Sequence, residues 1–139
     1  MLEGINDHEN LGAIARTARG LGADALLLDP TCADPFYRRS VRVSVGELLH
    51  LPIVRCASWT NAFDEVAAAG FDIWALTPSP HATDIYTLTP PRRWALVVGA
   101  EGPGLSATTL ARCTNVRIPM SNGVDSLNVG HAVAAALAR

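Results

Sequence analysis

The 139-residue chain reads as an α/β protein, a mostly parallel sheet with helices on both faces. Two observations predict this. Short apolar runs bounded by glycine or proline, such as ALLLD at 25–29 and WALVV at 94–98, recur along the chain. Segments of helical period separate them, without internal repeat or low-complexity stretch. With 49% hydrophobic and 17% charged residues, a chain of this length supports one domain, residues 1–139, with a real core.

Residues 2–5 read as the tail of a first strand, clipped at Met1. Asn10 can cap the helix that follows, in which Leu11, Ile14, Ala15, Ala18 and Leu21 make one apolar stripe and Gly20 and Gly22 close the last turn. At roughly 100° per residue, Arg16 lies nearly opposite that stripe. Residues 25–29 are a buried strand, and 31–50 hold short helical pieces started near Asp34 and Pro35. A strand at 53–56 precedes a helix at 59–70, with Thr60 as cap and Ala62, Phe63, Val66 and Ala67 inward. Another strand covers 71–76. Four prolines make 77–93 a loop with a short turn at 85–88. A strand at 94–98, a helix at 106–113 capped by Ser106, a strand at 115–118 and a Val/Ala-rich helix cut short at Arg139 complete the chain.

Composition excludes several classes. No run approaches a membrane span and the acidic start, MLEGINDHEN, is unlike a signal peptide, so a cytoplasmic protein is expected. Three scattered cysteines and four scattered histidines match neither a disulfide framework nor a metal site, and buried thiols and no metal are expected. Net charge is −2, yet all eleven basic residues are arginines, several of them clustered at Arg38, Arg39 and Arg42 and at Arg92 and Arg93. Arginine pairs with phosphate in a bidentate way that lysine cannot.

Three loops at strand-to-helix junctions carry the candidate chemistry: residues 6–22, 96–106 and 118–130. In an open α/β sheet such loops meet beyond the carboxyl ends of the strands. The middle one, GAEGPG, has glycines at 99, 102 and 104, whereas a dinucleotide fingerprint requires 99, 101 and 104. Glu101 would also oppose a pyrophosphate. A P-loop needs a lysine, and the nucleophile elbow G-x-S-x-G is absent. What remains is a close-approach glycine loop bearing one carboxylate, suited to a neutral or cationic ligand contacted through backbone. A strand-to-helix turn needing positive φ at Gly102 or Gly104 accounts for the same glycines equally well.

Together the three stretches resemble the SpoU (TrmH-like) group of the SPOUT methyltransferases. NLGAIARTA at 10–18 is similar to the group's first motif, VVGAEGPGLS at 97–106 to its second and IPMSNGVDSLNVG at 118–130 to its third, in the same order. The resemblance implies a C-terminal deep trefoil knot, a homodimer, S-adenosylmethionine as cofactor, and methyl transfer to a ribose 2′-hydroxyl of tRNA or rRNA. Carried over by motif position, it implies Gly99, Gly102, Ile118, Met120 and Leu127 as cofactor contacts, and Asn10, Arg16, Glu101, Ser126 and Asn128 as the catalytic set. Because a guanidinium is effectively never deprotonated in proteins, Arg16 is expected to clamp a phosphate rather than act as base, with Ser126 and Asn128 orienting Arg16 or the nucleotide. In the dimer, Val129, Val133 and Leu137 are expected between subunits. The group's third motif commonly ends in serine, where this chain has Gly130. Two alternatives stay open: a non-catalytic knotted RNA-binding or assembly module, and methylation of a base nitrogen.

Overall fold

The computed structural model describes residues 1–139 and has seven parallel strands in one sheet. The chain order is β1 (Leu2–Glu3), α1 (His8–Gly20), β2 (Leu26–Leu28), α2 (Arg38–Val43), a 3₁₀ turn (Glu47–His50), β3 (Ile53–Arg55), α3 (Trp59–Ala68), β4 (Asp72–Leu76), β5 (Thr83–Asp84), a second 3₁₀ turn (Ile85–Thr87), β6 (Trp94–Gly99), α4 (Ala107–Leu110), β7 (Thr114–Arg117) and α5 (Val129–Leu137). Across the sheet the order is β3-β2-β1-β6-β4-β7-β5, every pair parallel. The expected fold class is therefore observed.

Period-two alternation in the strands distributes the core between two faces. Along β6, Val98 joins Leu2, Ile14, Ala18, Val129 and Val133 beneath α1 and α5, while its neighbour Val97 joins Phe63, Ile73 and Ala75 beneath α3. In β4, Ile73 and Ala75 face α3, and Trp74 turns the other way, toward Ile85, Val116 and Ala136 of α5. This double burial explains why the central strands are continuous apolar runs.

Several local expectations are corrected. Helix α1 starts at His8, capped by Asp7, whose carboxylate accepts the Asn10 amide N–H at 2.8 Å; Asn10 is thus inside the first turn and its side chain is free for other work. Leu21 is the C-cap, 44% exposed, and not part of the buried stripe. Ser58, rather than Thr60, caps α3, and Ala67 is exposed. Ser106 caps α4 as expected, but the helix stops at Leu110. Strand β5 lies where a loop is predicted; two polar residues at a sheet edge carry no readable period.

The expectation for α5 also changes. Val129 and Val133 are 7% and 3% exposed within the chain itself, and both pack in the cluster that includes Leu11, Ile14 and Ala18 of α1, with the half-buried Leu137 against them. Val129 and Val133 are thus spent on the chain's own core, while Leu137 keeps part of its surface exposed. No helix is long and apolar enough to cross a membrane, and no group of three or more histidine, cysteine or acidic side chains is placed to hold a metal. All three thiols are free; Cys32 is buried, and Cys56 and Cys113 are half-buried.

Candidate active site

The strand order reverses direction between β1 and β6. From β1 the chain proceeds outward to β2 and β3, and the later strands fill the other side. A crevice at such a switch point, over the carboxyl ends, is where open α/β sheets take ligands. Here the segment after β1 contributes Asn10, the segment after β6 the glycine loop, and the segment after β7 crosses over β4 and β6 to reach α5.

The glycine loop is a tight return. Ala100 and Gly104 form an isolated antiparallel bridge, and the Gly104 N–H donates to the Ala100 carbonyl at 3.0 Å. A Cβ on Gly99 would lie 2.3 Å from the Gly104 carbonyl carbon and 2.6 Å from the Leu105 nitrogen, both backbone atoms. Gly102 and Gly104 have φ of 91° and 68°. Three glycines are thus demanded by the loop's own geometry, as the turn reading of the sequence has it. From outside, Glu3 fastens the loop's exit: its carboxylate accepts the Ser106 N–H at 2.7 Å, the Trp59 indole N–H at 2.8 Å and the Thr109 hydroxyl. Burial pushes the Glu3 carboxyl up, but these donors outweigh it and hold the group below the usual carboxylate range.

Asn128 ties the three loops together. Its Nδ2 donates to Asn10 Oδ1 and to Glu101 Oε1, both at 2.8 Å, and its Oδ1 accepts the Gly130 N–H at 2.9 Å, capping α5. Only one orientation of the amide satisfies a carboxylate on one side and a backbone N–H on the other. Gly130 lets α5 approach α1 here, since a Cβ would stand 3.2 Å from Asn128 Oδ1 and 3.3 Å from Ala13 Cβ.

Beside this node lies a cleft of about 690 Å³ whose lining includes Gly99, Glu101, Gly102, Ile118, Met120, Ser126, Leu127 and Asn128. A second cleft of about 690 Å³ opens at the opposite, amino-terminal edge among Leu26, Trp94 and Leu137. No side-chain-to-side-chain hydrogen bond joins elements across it, so the polar node distinguishes the carboxyl-edge cleft as the candidate site.

Of the residues singled out in the sequence, the five candidate cofactor contacts line this cleft, and Asn10, Glu101 and Asn128 meet at its rim. Ser126 is exposed on the lining and hydrogen bonds to no protein group. Arg16 does not join them. It is exposed, without an ion pair, and six residues along α1 from Asn10, which is about 9 Å of helix axis and about 120° of rotation. Its expected partners, Ser126 and Asn128, do not hydrogen bond to it within one chain. Sequence reading missed Glu3 altogether, because an acidic residue near the amino terminus gives no local sign of the three donors that fold onto it.

A parallel sheet with a cleft over its carboxyl edge, walled by a backbone-rich glycine loop and closed by an amide–carboxylate node, defines an α/β protein built to hold a small organic ligand. Residues 1–138 match the SpoU rRNA Methylase family, and the chain belongs to that family. An uncharacterized tRNA/rRNA methyltransferase of Mycobacterium tuberculosis (strain ATCC 25618 / H37Rv) is 50% identical over 142 residues, covering 99% of this chain and 49% of the relative. Among solved structures, an AdoMet-bound rRNA methyltransferase from Sinorhizobium meliloti is 30% identical with a TM-score of 0.90, over 98% of this chain and 52% of that one. An RNA 2′-O ribose methyltransferase is 31% identical with a TM-score of 0.84, over 98% and 52%. The chain spans about half the length of these relatives.

Proposed function

We propose that this chain is the methyltransferase unit of an RNA-modifying enzyme, using S-adenosylmethionine to methylate a ribose 2′-hydroxyl of tRNA or rRNA in the cytoplasm. The observation that carries the reading is the Asn10–Asn128–Glu101 node at the rim of the cleft. The cleft fits the cofactor. Its volume is within the range of small-molecule sites, Ile118, Met120 and Leu127 offer apolar surface for a purine, and the glycine loop offers backbone for polar edges. A carboxylate on that loop suits a cation and opposes a phosphate. The relatives' AdoMet-bound and ribose 2′-O descriptions support the same assignment.

When bound, S-adenosylmethionine supplies a methyl group on a positively charged sulfur, which passes to the hydroxyl oxygen as the carbon–sulfur bond breaks. The chain's task is positioning. Asn128, held by Glu101 and Asn10, fixes the start of α5 and the shape of the cleft mouth, and the free Ser126 hydroxyl orients the nucleotide. Arg16, exposed and off the cleft lining, clamps a phosphate of the same RNA strand, and a phosphate or water takes the proton. The homodimer implied by family resemblance would use side chains still exposed, such as Val45 and Leu49, because Val129 and Val133 are already buried. A strictly monomeric chain in sedimentation at micromolar concentration would remove the dimer from this account.

The decisive experiment is incubation with methyl-labelled S-adenosylmethionine and bulk tRNA or rRNA, followed by digestion and nucleoside analysis. Label in 2′-O-methylated nucleosides is expected. Label in base-methylated nucleosides would overturn the ribose assignment, and cofactor binding without transfer would favour a non-catalytic module.

A further inference from the structure

A second surface stands at the carboxyl edge of the sheet, beside the node but outside the cleft. Phe36 and Tyr37, just before α2, are 60% and 45% exposed, large apolar rings where folding alone would bury them. Tyr37 leans on His8 with ring centroids 4.5 Å apart, and His8 shares the first turn of α1 with Asn10. Next in sequence come three arginines in five residues. Ser40 and Val43 press on α1 at Gly12, where an added Cβ would lie 2.6 Å from the Ser40 carbonyl oxygen. That contact fixes which way α2 faces.

Helical spacing then sorts the arginines. Arg39 reaches back to Glu9 of α1 and is neutralised there. Arg38 and Arg42, four residues and about 6 Å of axis apart, share the outer face and form no ion pair. The neighbouring carboxylates are committed elsewhere: Glu9 to Arg39, Asp7 to the Asn10 N–H, and Asp34 to the Phe36 N–H at 2.9 Å. Two free guanidinium groups on the helix that directly follows two exposed rings match a single-stranded nucleic acid, which offers phosphates and π-faces together. A protein partner would need carboxylates placed opposite both arginines, whereas every single strand carries phosphates beside its bases.

We propose that Phe36, Tyr37, Arg38 and Arg42 form a single-strand docking surface, on which an unpaired base of the RNA stacks and its flanking phosphates pair with the arginines, presenting a nearby ribose to the cleft. This inference rests on the RNA-methyltransferase reading for its partner. It assigns RNA recognition to this chain itself, in spite of a net charge of −2.

The test is fluorescence anisotropy of a labelled single-stranded RNA of about 12 nucleotides, titrated at several salt concentrations. Phe36→Ala and Tyr37→Ala are each expected to weaken binding about tenfold, whereas Phe36→Trp retains it, since an indole stacks as well. Arg38→Ala/Arg42→Ala should lower the magnitude of the slope of log K against log salt by about 1.4, at about 0.7 per phosphate contact. Arg92→Ala, at the other end of the strands, should change neither. Thermal melts confirm folding, which these exposed positions should leave intact. Equal RNA affinity in all variants overturns the proposal, as does a loss in Phe36→Trp matching that in Phe36→Ala. A changed sedimentation coefficient in the ring variants, with unchanged RNA binding, would instead make the surface a contact between copies. Cofactor calorimetry separates the two readings: patch-dependent RNA binding without S-adenosylmethionine binding would sink the methyltransferase reading and leave this one standing.

Discussion

Asn128 has two separable jobs, and three substitutions take them apart. Its Oδ1 caps α5 and its Nδ2 bridges Asn10 and Glu101. Losing an N-cap costs about 1 kcal/mol, and two hydrogen bonds on an exposed amide contribute about 0.5–1 kcal/mol each. Asn128→Ala removes both jobs and should cost about 2–3 kcal/mol. Asn128→Ser keeps a capping oxygen and should cost about 1–2 kcal/mol. With an unfolding entropy of about 2.1 cal/mol/K per residue, each kcal/mol lowers Tm by about 3 °C in a chain of this length. The expected losses are therefore about 6–9 °C and about 3–6 °C. Asn128→Asp keeps the cap but sets a second carboxylate against Glu101, and Glu101→Gln in that background restores a donor facing an acceptor. Calorimetric melts of the singles and the double close a mutant cycle, with a favourable coupling near 1 kcal/mol expected. Serine as damaging as alanine would refute the capping role. A double variant no more stable than Asn128→Asp alone would refute the bridge.

Gly99→Ala forces a methyl group onto the Gly104–Leu105 backbone and should cost about 1–3 kcal/mol, seen as a lower urea midpoint, together with loss of cofactor binding. Arg16→Ala should abolish methyl transfer while leaving S-adenosylmethionine affinity nearly unchanged, since Arg16 is not on the cleft lining; a large loss in calorimetric affinity would refute the clamp role. Because Glu3 is held below its ordinary value near 4.5, its contribution to stability is present above that pH and disappears as pH falls through the folded-state value. Urea midpoints from pH 3 to 6 should accordingly fall more steeply on the acid side in wild type than in Glu3→Gln. Burial pushes the Cys32 and Cys113 thiols up to about 11, so iodoacetamide at pH 8 should alkylate both slowly in the native chain and quickly in urea.

Elements with strong local signals were legible in the sequence. The stripe of α1, the apolar runs of β2, β4 and β6, and the cap at Ser106 each depend on neighbours within a few residues. Strand β5 was not legible, because a two-residue edge strand exists only through its pairing with β7. The apolar stripe of α1 pointed to Asn10 as its cap, although Asp7, three residues earlier, is the residue that takes it. The candidate site was legible as motifs and not as geometry. That Asn10 gives up the cap to receive Asn128 depends on a contact spanning 118 residues. Arg16 illustrates the opposite limit: membership of a motif does not place a side chain at the node its motif partner reaches. Val129 and Val133 read as an exposed apolar face because the sequence does not say that α1 lies against it.

The most direct test of the central claim is an isothermal titration of the chain with S-adenosylmethionine, beside Asn128→Ala. One site per chain, clearly weakened in the variant, is the result expected if the cleft between the glycine loop and residues 118–128 is the cofactor site. A folded chain that takes up no S-adenosylmethionine, or that binds it equally well without the Asn128 side chain, would contradict the account.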